Sequence, residues 1–170
     1  MLRVIRCELG CNLEWIQHFL RMSVKDNFFN SHTEERHEMR ELLLELESLI
    51  NKVSEKVKLE LESSASRVVF PGDNFETLRK KAMNKSGVYA IFFDENIVYI
   101  GKSRNAGGRF REHFIKCSET TNSKIGEVTS ALNDGKKVEL SFVELPTSVY
   151  SVIEEQLITT SSDLSNKRAS

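Results

Sequence analysis

Short apolar runs in the second half of the chain predict a small antiparallel sheet. Two of them, Gly87–Phe93 and Ile97–Ile100, are rich in Val, Ile, Phe and Tyr and flank the turn residues at 94–96. This pattern predicts a β-hairpin. A third strand is expected at 138–142, where apolar and polar residues alternate. The expected fold is α+β, with a three-stranded antiparallel sheet flanked by helices.

Helix signals surround these strands. Asp73 and Glu76 predict a capped helix before the hairpin. Asn105 is expected to begin a helix after it, and apolar spacing predicts two further helices, near 125–132 and from 149 to about 158. The segment 68–70 is a candidate for a short additional strand.

The first half of the chain predicts one long helix, from Thr33 to about Glu62, as an N-terminal helical extension. Two interpretations of its apolar stripe remain open: packing against a predicted helix at Leu13–Leu20, or a homodimer interface through the 33–62 helix. The expected division is a helical extension at 1–80, for dimerisation, targeting or binding a protein partner, and a second domain at 81–170. Leu42 and Leu49 widen the stripe. Its own members recur at alternating steps of four and three residues: Met39, Leu43, Leu46, Ile50, Val53 and Val57.

The register of the hairpin decides whether its two tyrosines can act together. A three-residue loop would place Phe93 opposite Ile97 and Ile91 opposite Tyr99. Tyr89 would then share a face of the sheet with Tyr99, because side chains alternate along a strand. A two-residue loop would shift the pairing by one residue and separate the two phenols.

The helix after the hairpin carries a second pair of polar side chains. Arg109 and His113 are spaced i, i+4, so they share one face of that helix. Such a pair is usually a solvated face, but here it directly follows a hairpin that bears two tyrosines.

Together these residues resemble the GIY-YIG nuclease domain. The resemblance covers residues 86–166. The sequence departs from the family pattern after Asn105, where the usual apolar residue is only Ala106. The following Gly107-Gly108 weakens the helix by roughly 1 kcal/mol per glycine. The segments that carry it are Gly87-Val88-Tyr89, Tyr99-Ile100-Gly101, Arg109, His113, Glu154-Glu155-Gln156-Leu157-Ile158 and Asn166.

The resemblance implies a metal-dependent DNA endonuclease. Glu154 would bind one Mg²⁺ or Mn²⁺ ion per site, with Glu155 as the rival ligand, because hard divalent cations prefer oxygen ligands. Hydrolysis also needs a general base, and the choice between the tyrosines, or a tyrosine acting with His113, stays open. The catalytic residues implied by the resemblance are Tyr89, Tyr99, Arg109, His113 and Glu154, with Asn166 beside them in the substrate site.

A run of basic side chains around the second motif predicts contacts to the DNA backbone. Lys102, Arg104 and Arg111 are the expected substrate-binding residues, and Glu112 is the one acidic residue within the run from 102 to 116. A solvated helix of mixed charge is the alternative interpretation of this run. At the level of the whole chain, the competing class is a non-catalytic nucleic-acid-binding or assembly protein that keeps the fold.

Composition narrows these expectations only slightly. The formal net charge is -1, which excludes a globally basic nucleic-acid binder but not a local basic patch. No apolar run is long enough to span a membrane, so no membrane partner is predicted. Three cysteines without paired spacing predict free thiols in a reducing cytoplasm.

Overall fold

The computed structural model describes residues 33–116, 123–161 and 164. Its chain divides into two compact units, Met1–Val53 and Ser54–Ser170. The division at residue 80 stays a prediction. The predicted Leu13–Leu20 helix and Asn166 lie outside the described residues.

The described residues form five α-helices and four strands. A short 3₁₀ turn at Ser64–Ser66 precedes the first strand. In chain order the elements are helix α1 (Thr33–Glu62), strand β1 (Val68–Phe70), helix α2 (Asp73–Lys81), strands β2 (Gly87–Phe93) and β3 (Asn96–Ser103), helices α3 (Ala106–Phe114) and α4 (Ile125–Asn133), strand β4 (Val138–Glu144) and helix α5 (Tyr150–Thr160).

The sheet is antiparallel and has four strands, in the order β1-β4-β2-β3. The α+β fold with flanking helices is therefore confirmed, and the prediction of three strands is wrong. The additional strand is β1, the predicted candidate at 68–70, which pairs with β4 through Val68 opposite Leu140 and Phe70 opposite Val138. Three residues carry too little alternation to place a strand in a sheet, and its pairing partner lies some 70 residues further along the chain.

The β2–β3 hairpin has a tighter turn than predicted. Asp94 and Glu95 have φ of 48° and 72°, so they form a two-residue turn, and Phe93 pairs with Asn96 instead of Ile97. This turn alone would separate the tyrosines. A β-bulge between Ile91 and Phe92 leaves Val98 as an extra residue on β3, and Ile91 consequently pairs with Tyr99 as predicted.

Each face of the sheet carries its own apolar core. Strand residues such as Ala90 and Ile100 pack with α5 and with Val57 and Leu61 of α1. The other face, which includes Ile91, packs against α2, α3 and α4. The two faces follow from the period-two alternation of the central strands, which are buried on both sides.

Helix α1 exposes an apolar stripe in the first unit. The predicted stripe is narrower than expected, because Leu43 and Ile50 are partly buried and Val57 lies in the core of the second unit. The residues that remain at least 36% exposed keep steps of three and four: Met39, Leu42, Leu46, Leu49 and Val53. We call these five residues the α1 stripe.

The helices of the described part are too short or too polar to cross a membrane.

Candidate active site

Two phenol side chains lie side by side on one face of the β2–β3 hairpin. Tyr89 is fully buried and Tyr99 is partly buried, with ring centroids 6.0 Å apart. Gly101 pairs with Tyr89 across the hairpin, and a Cβ at this glycine would lie 2.7 Å from both aromatic rings. A Cβ essentially never approaches a ring atom that closely, so the site requires glycine at this position.

Helix α3 is held close to the hairpin by its first turn. The Asn105 side chain caps the helix by accepting from the Gly108 N–H, at 3.2 Å, which confirms the predicted start of this helix. A Cβ at Gly107 would collide with the Arg79 carbonyl oxygen and with Met83. The glycine that seemed to weaken α3 therefore lets α2 and α3 approach one another.

His113 is buried beneath the tyrosines, and both of its ring nitrogens have partners. Its Nε2 lies 2.7 Å from the Tyr89 Oη, and its Nδ1 accepts the backbone N–H of Lys124 at 3.0 Å. Because a neutral imidazole carries one proton, that proton must be on Nε2, which donates to Tyr89. Burial, with the nearby positive charges of Arg109 and Lys124, lowers the pKa of His113 to about 3.

The Tyr89 hydroxyl lies among three polar neighbours. Its oxygen accepts from His113. Arg109 and Tyr99 lie close enough to act on it electrostatically. Burial, and next the proximity of Tyr99, raises the pKa of Tyr89 well above the ordinary tyrosine value, although the Arg109 charge acts in the opposite direction.

Arg109 is fixed from both sides. Its Nη1 lies 2.6 Å from the Glu112 Oε2, one helical turn along α3. Burial alone disfavours the guanidinium charge, but the Glu112 hydrogen bond and the adjacent tyrosines raise the pKa of Arg109 above its ordinary value. Its charge is thus held permanently beside the phenols.

Two further residues complete the site and were not predicted. Lys124 supplies the backbone donor to His113, and its ammonium lies 5.2 Å from the centre of the Tyr99 ring. The Ser123 hydroxyl donates to the Glu112 carbonyl oxygen of α3. A sequence signal for either residue is lacking, because one contact uses the main chain and the other is made by an ordinary loop serine.

Glu154 stands on α5, which packs on the opposite face of the sheet from the two phenols. Its Oε2 lies 2.7 Å from the Lys102 Nζ on the edge strand β3. The predicted residues thus fall into two groups of contacts. Tyr89, Tyr99, Arg109 and His113 contact one another, and Glu154 contacts Lys102.

Two other predicted substrate-binding residues lie near the start of α3 and on that helix. Arg104 and Arg111 are exposed, just before α3 and on α3 respectively. Asn166 lies outside the described residues, so its place in the site stays a prediction.

The residues around Glu154 fit a single hard cation. Within 33–116, 123–161 and 164, no three His, Cys, Asp or Glu side chains are grouped as a metal site. One carboxylate still suffices for Mg²⁺, which keeps several waters and binds through one or two protein carboxylates. The Lys102 ammonium already stands beside that carboxylate as a cation.

Comparison with known families agrees with this fold. A model of the GIY-YIG catalytic domain matches residues 85–169. The chain therefore belongs to the GIY-YIG family, a nuclease superfamily whose members generally use divalent metal ions. Neither a curated protein nor a solved structure shows significant similarity to it.

The buried histidine makes stability depend on pH. Below about pH 6.5 an unfolded His113 takes up a proton that the folded protein refuses until about pH 3. The unfolded state then binds more protons, so the free energy of unfolding should fall as the pH is lowered, by at most about 1.4 kcal/mol per pH unit. Urea denaturation across this range should show a shallower fall for His113→Gln.

The exposed His37 on α1 provides the matched control. His37→Gln should leave the pH dependence of the wild-type protein unchanged. Parallel stability curves for His113→Gln and the wild type would contradict a buried neutral imidazole.

Proposed function

We propose that the protein is a metal-dependent DNA endonuclease that hydrolyses phosphodiester bonds. The observation that carries this proposal is the polar cluster around the buried Tyr89 hydroxyl, which accepts from His113 and lies beside the charged Arg109. A core with only a structural role would be more stable with apolar side chains here, because buried polar groups are costly unless every hydrogen-bond partner is present.

Tyr99 is our candidate for the general base. It is partly exposed, whereas Tyr89 is fully buried and cannot meet a water from the solvent. Acting as a phenolate, Tyr99 would take a proton from the water while the water oxygen attacks phosphorus and the bond to the leaving oxygen breaks. Tyr89 lies against Tyr99, with ring centroids 6.0 Å apart, and accepts from His113, so Tyr89 and His113 would act as positioning residues behind the base.

Arg109 is suited to offset charge on the phosphoryl oxygens. Its guanidinium is anchored to Glu112 and keeps its positive charge in partly buried surroundings. A preorganised cation in such a site stabilises developing negative charge more strongly than it would in water. The exposed Arg104 and Arg111 would contribute mainly to DNA affinity.

Glu154 is our candidate for the metal ligand, with Mg²⁺ or Mn²⁺ as the ion. Such an ion, when bound, would supply charge stabilisation for the phosphate and for the leaving oxygen. The pairing of Glu154 with Lys102 supports this choice over the neighbouring Glu155, because a cationic group already binds the Glu154 carboxylate.

A plasmid-nicking assay tests the nuclease directly. Purified protein should nick supercoiled plasmid with Mg²⁺ and should not with EDTA. Glu154→Gln should abolish cleavage, because the amide loses the charge that binds the ion, while Glu155→Gln on the same helix should retain it. Arg109→Ala should lower the rate far more than the DNA affinity.

The competing class makes a different forecast in the same assay. A non-catalytic binding or assembly protein would retain plasmid without nicking it under any metal condition. Cleavage lost in Glu155→Gln and kept in Glu154→Gln would move the metal site to Glu155.

Replacing each tyrosine separates the base from its support. Tyr99→Phe should lower the single-turnover cleavage rate by about 100-fold to 10,000-fold, as expected for loss of a general base. Tyr89→Phe should cost less, because the base itself, Tyr99, is unchanged. The opposite ranking, measured at saturating protein, would make Tyr89 the base.

We also propose that the protein forms a dimer through the α1 stripe. Its five side chains recur at the coiled-coil spacing of three and four and are 36–59% exposed, so a second copy could bury them symmetrically. A site with one metal cuts one strand at a time, and a dimer would bring two sites to a duplex. Residues 1–80 binding another protein, or the stripe packing against Leu13–Leu20, are the alternatives.

Light scattering at micromolar concentration tests this interface. The wild type should have a dimer mass, and Leu46→Glu should be monomeric because it buries a charge in the middle of the stripe. Leu44→Glu is the matched control, since Leu44 is 55% exposed but lies outside the stripe. A wild-type monomer, unchanged by either substitution, would contradict the dimer.

A further inference from the structure

The contact between Lys102 and Glu154 joins the edge strand β3 to helix α5. The ammonium nitrogen lies 2.7 Å from the carboxylate oxygen, which is the distance of a charge-assisted hydrogen bond. The two side chains differ in exposure, with Glu154 only 16% exposed and Lys102 38% exposed. The carboxylate is therefore held in the structure, while the lysine lies at its solvent side.

We propose that Lys102 is an internal competitor for the metal site. In the metal-free protein its ammonium neutralises Glu154, and a divalent cation has to displace it to bind. This inference rests on the proposed role of Glu154 as metal ligand. It assigns Lys102 a second role, beyond the backbone contact expected from the sequence.

The geometry sets the two cations in competition for one carboxylate. A Mg²⁺ ion sits about 2.1 Å from its carboxylate oxygen, so an ammonium at hydrogen-bond distance from the same oxygen would lie only roughly 4 Å from it. Two positive charges at that separation repel strongly. The lysine is the partner that can leave, because its flexible four-carbon stem already reaches solvent.

Displacement of Lys102 would also couple the metal to DNA. Once released, the ammonium lies on the edge of the sheet that leads to the exposed Arg104, where a phosphate would approach. A phosphate that captures Lys102 would in turn free Glu154. Metal and DNA would thus favour the same rearrangement, and such coupling must be reciprocal.

Titration with Mn²⁺, followed by electron paramagnetic resonance in the absence of DNA, tests the competition without any measurement of cleavage. Lys102→Met should bind Mn²⁺ about fivefold more tightly than the wild type, since a partly exposed ion pair is worth up to about 1 kcal/mol. Lys85→Met is the matched control. Lys85 also forms an ion pair, at 3.0 Å, but with Glu144, so its loss should leave Mn²⁺ affinity unchanged.

The outcomes distinguish the competition by Lys102 from the proposed metal role of Glu154 on which it rests. Unchanged affinity in Lys102→Met, or an equal gain in Lys85→Met, would overturn the competition and leave only a general charge effect. Glu154→Gln should lose Mn²⁺ binding, and full binding in that variant would instead overturn the metal assignment. If circular dichroism shows that Lys102→Met is unfolded, Lys102→Gln provides the same comparison.

Discussion

The pairing register of the β2–β3 hairpin is the constraint on which the site depends. With the two-residue turn at Asp94-Glu95 and no correction, Tyr99 would pair with Ala90 and point to the opposite face from Tyr89. The bulge at Val98 removes that one-residue error. A local irregularity of the main chain thereby brings the two phenols onto one face.

Once the phenols are paired, burial determines the protonation and the hydrogen bonding of the other site residues. Tyr89 and His113 are both removed from water, and burial shifts the pKa of each group so that its neutral form is favoured. Their polar atoms stay bonded because they contact each other and the Lys124 main chain supplies a further donor. Arg109 keeps its charge here, and Glu112 is the carboxylate that balances it.

The sequence predicted those parts of the fold whose signals are local. Apolar runs rich in Val, Ile, Phe and Tyr identified β2 and β3, alternation identified β4, and the Asn105 cap placed α3 correctly. The sequence marked 68–70 as a candidate strand but could not place it in the sheet, because these three residues become a strand only by pairing with the distant β4. The turn type was missed because Asp and Glu adopt positive φ less often than glycine, and nothing in the apolar pattern marks a bulge.

The site residues likewise divide into those predicted from local spacing and those that were not predicted. Tyr89, Tyr99, Arg109 and His113 were found by their spacing, and the structure brings these four together. Lys124 and Ser123 could not be found, because their contacts depend on where a loop returns to α3. The pairing of Lys102 with Glu154 joins residues about 50 positions apart across the edge of a sheet, which no sequence period encodes.

The main-chain donor to His113 has a consequence for how this site can vary. The proton on the imidazole is placed by the N–H of residue 124, which every amino acid except proline possesses. The side chain at this position can therefore change without moving the histidine proton, because the position of the backbone determines which imidazole nitrogen carries it. A shift of the main chain at residue 124, by contrast, would move the donor itself, so this position is constrained in its geometry more than in its composition.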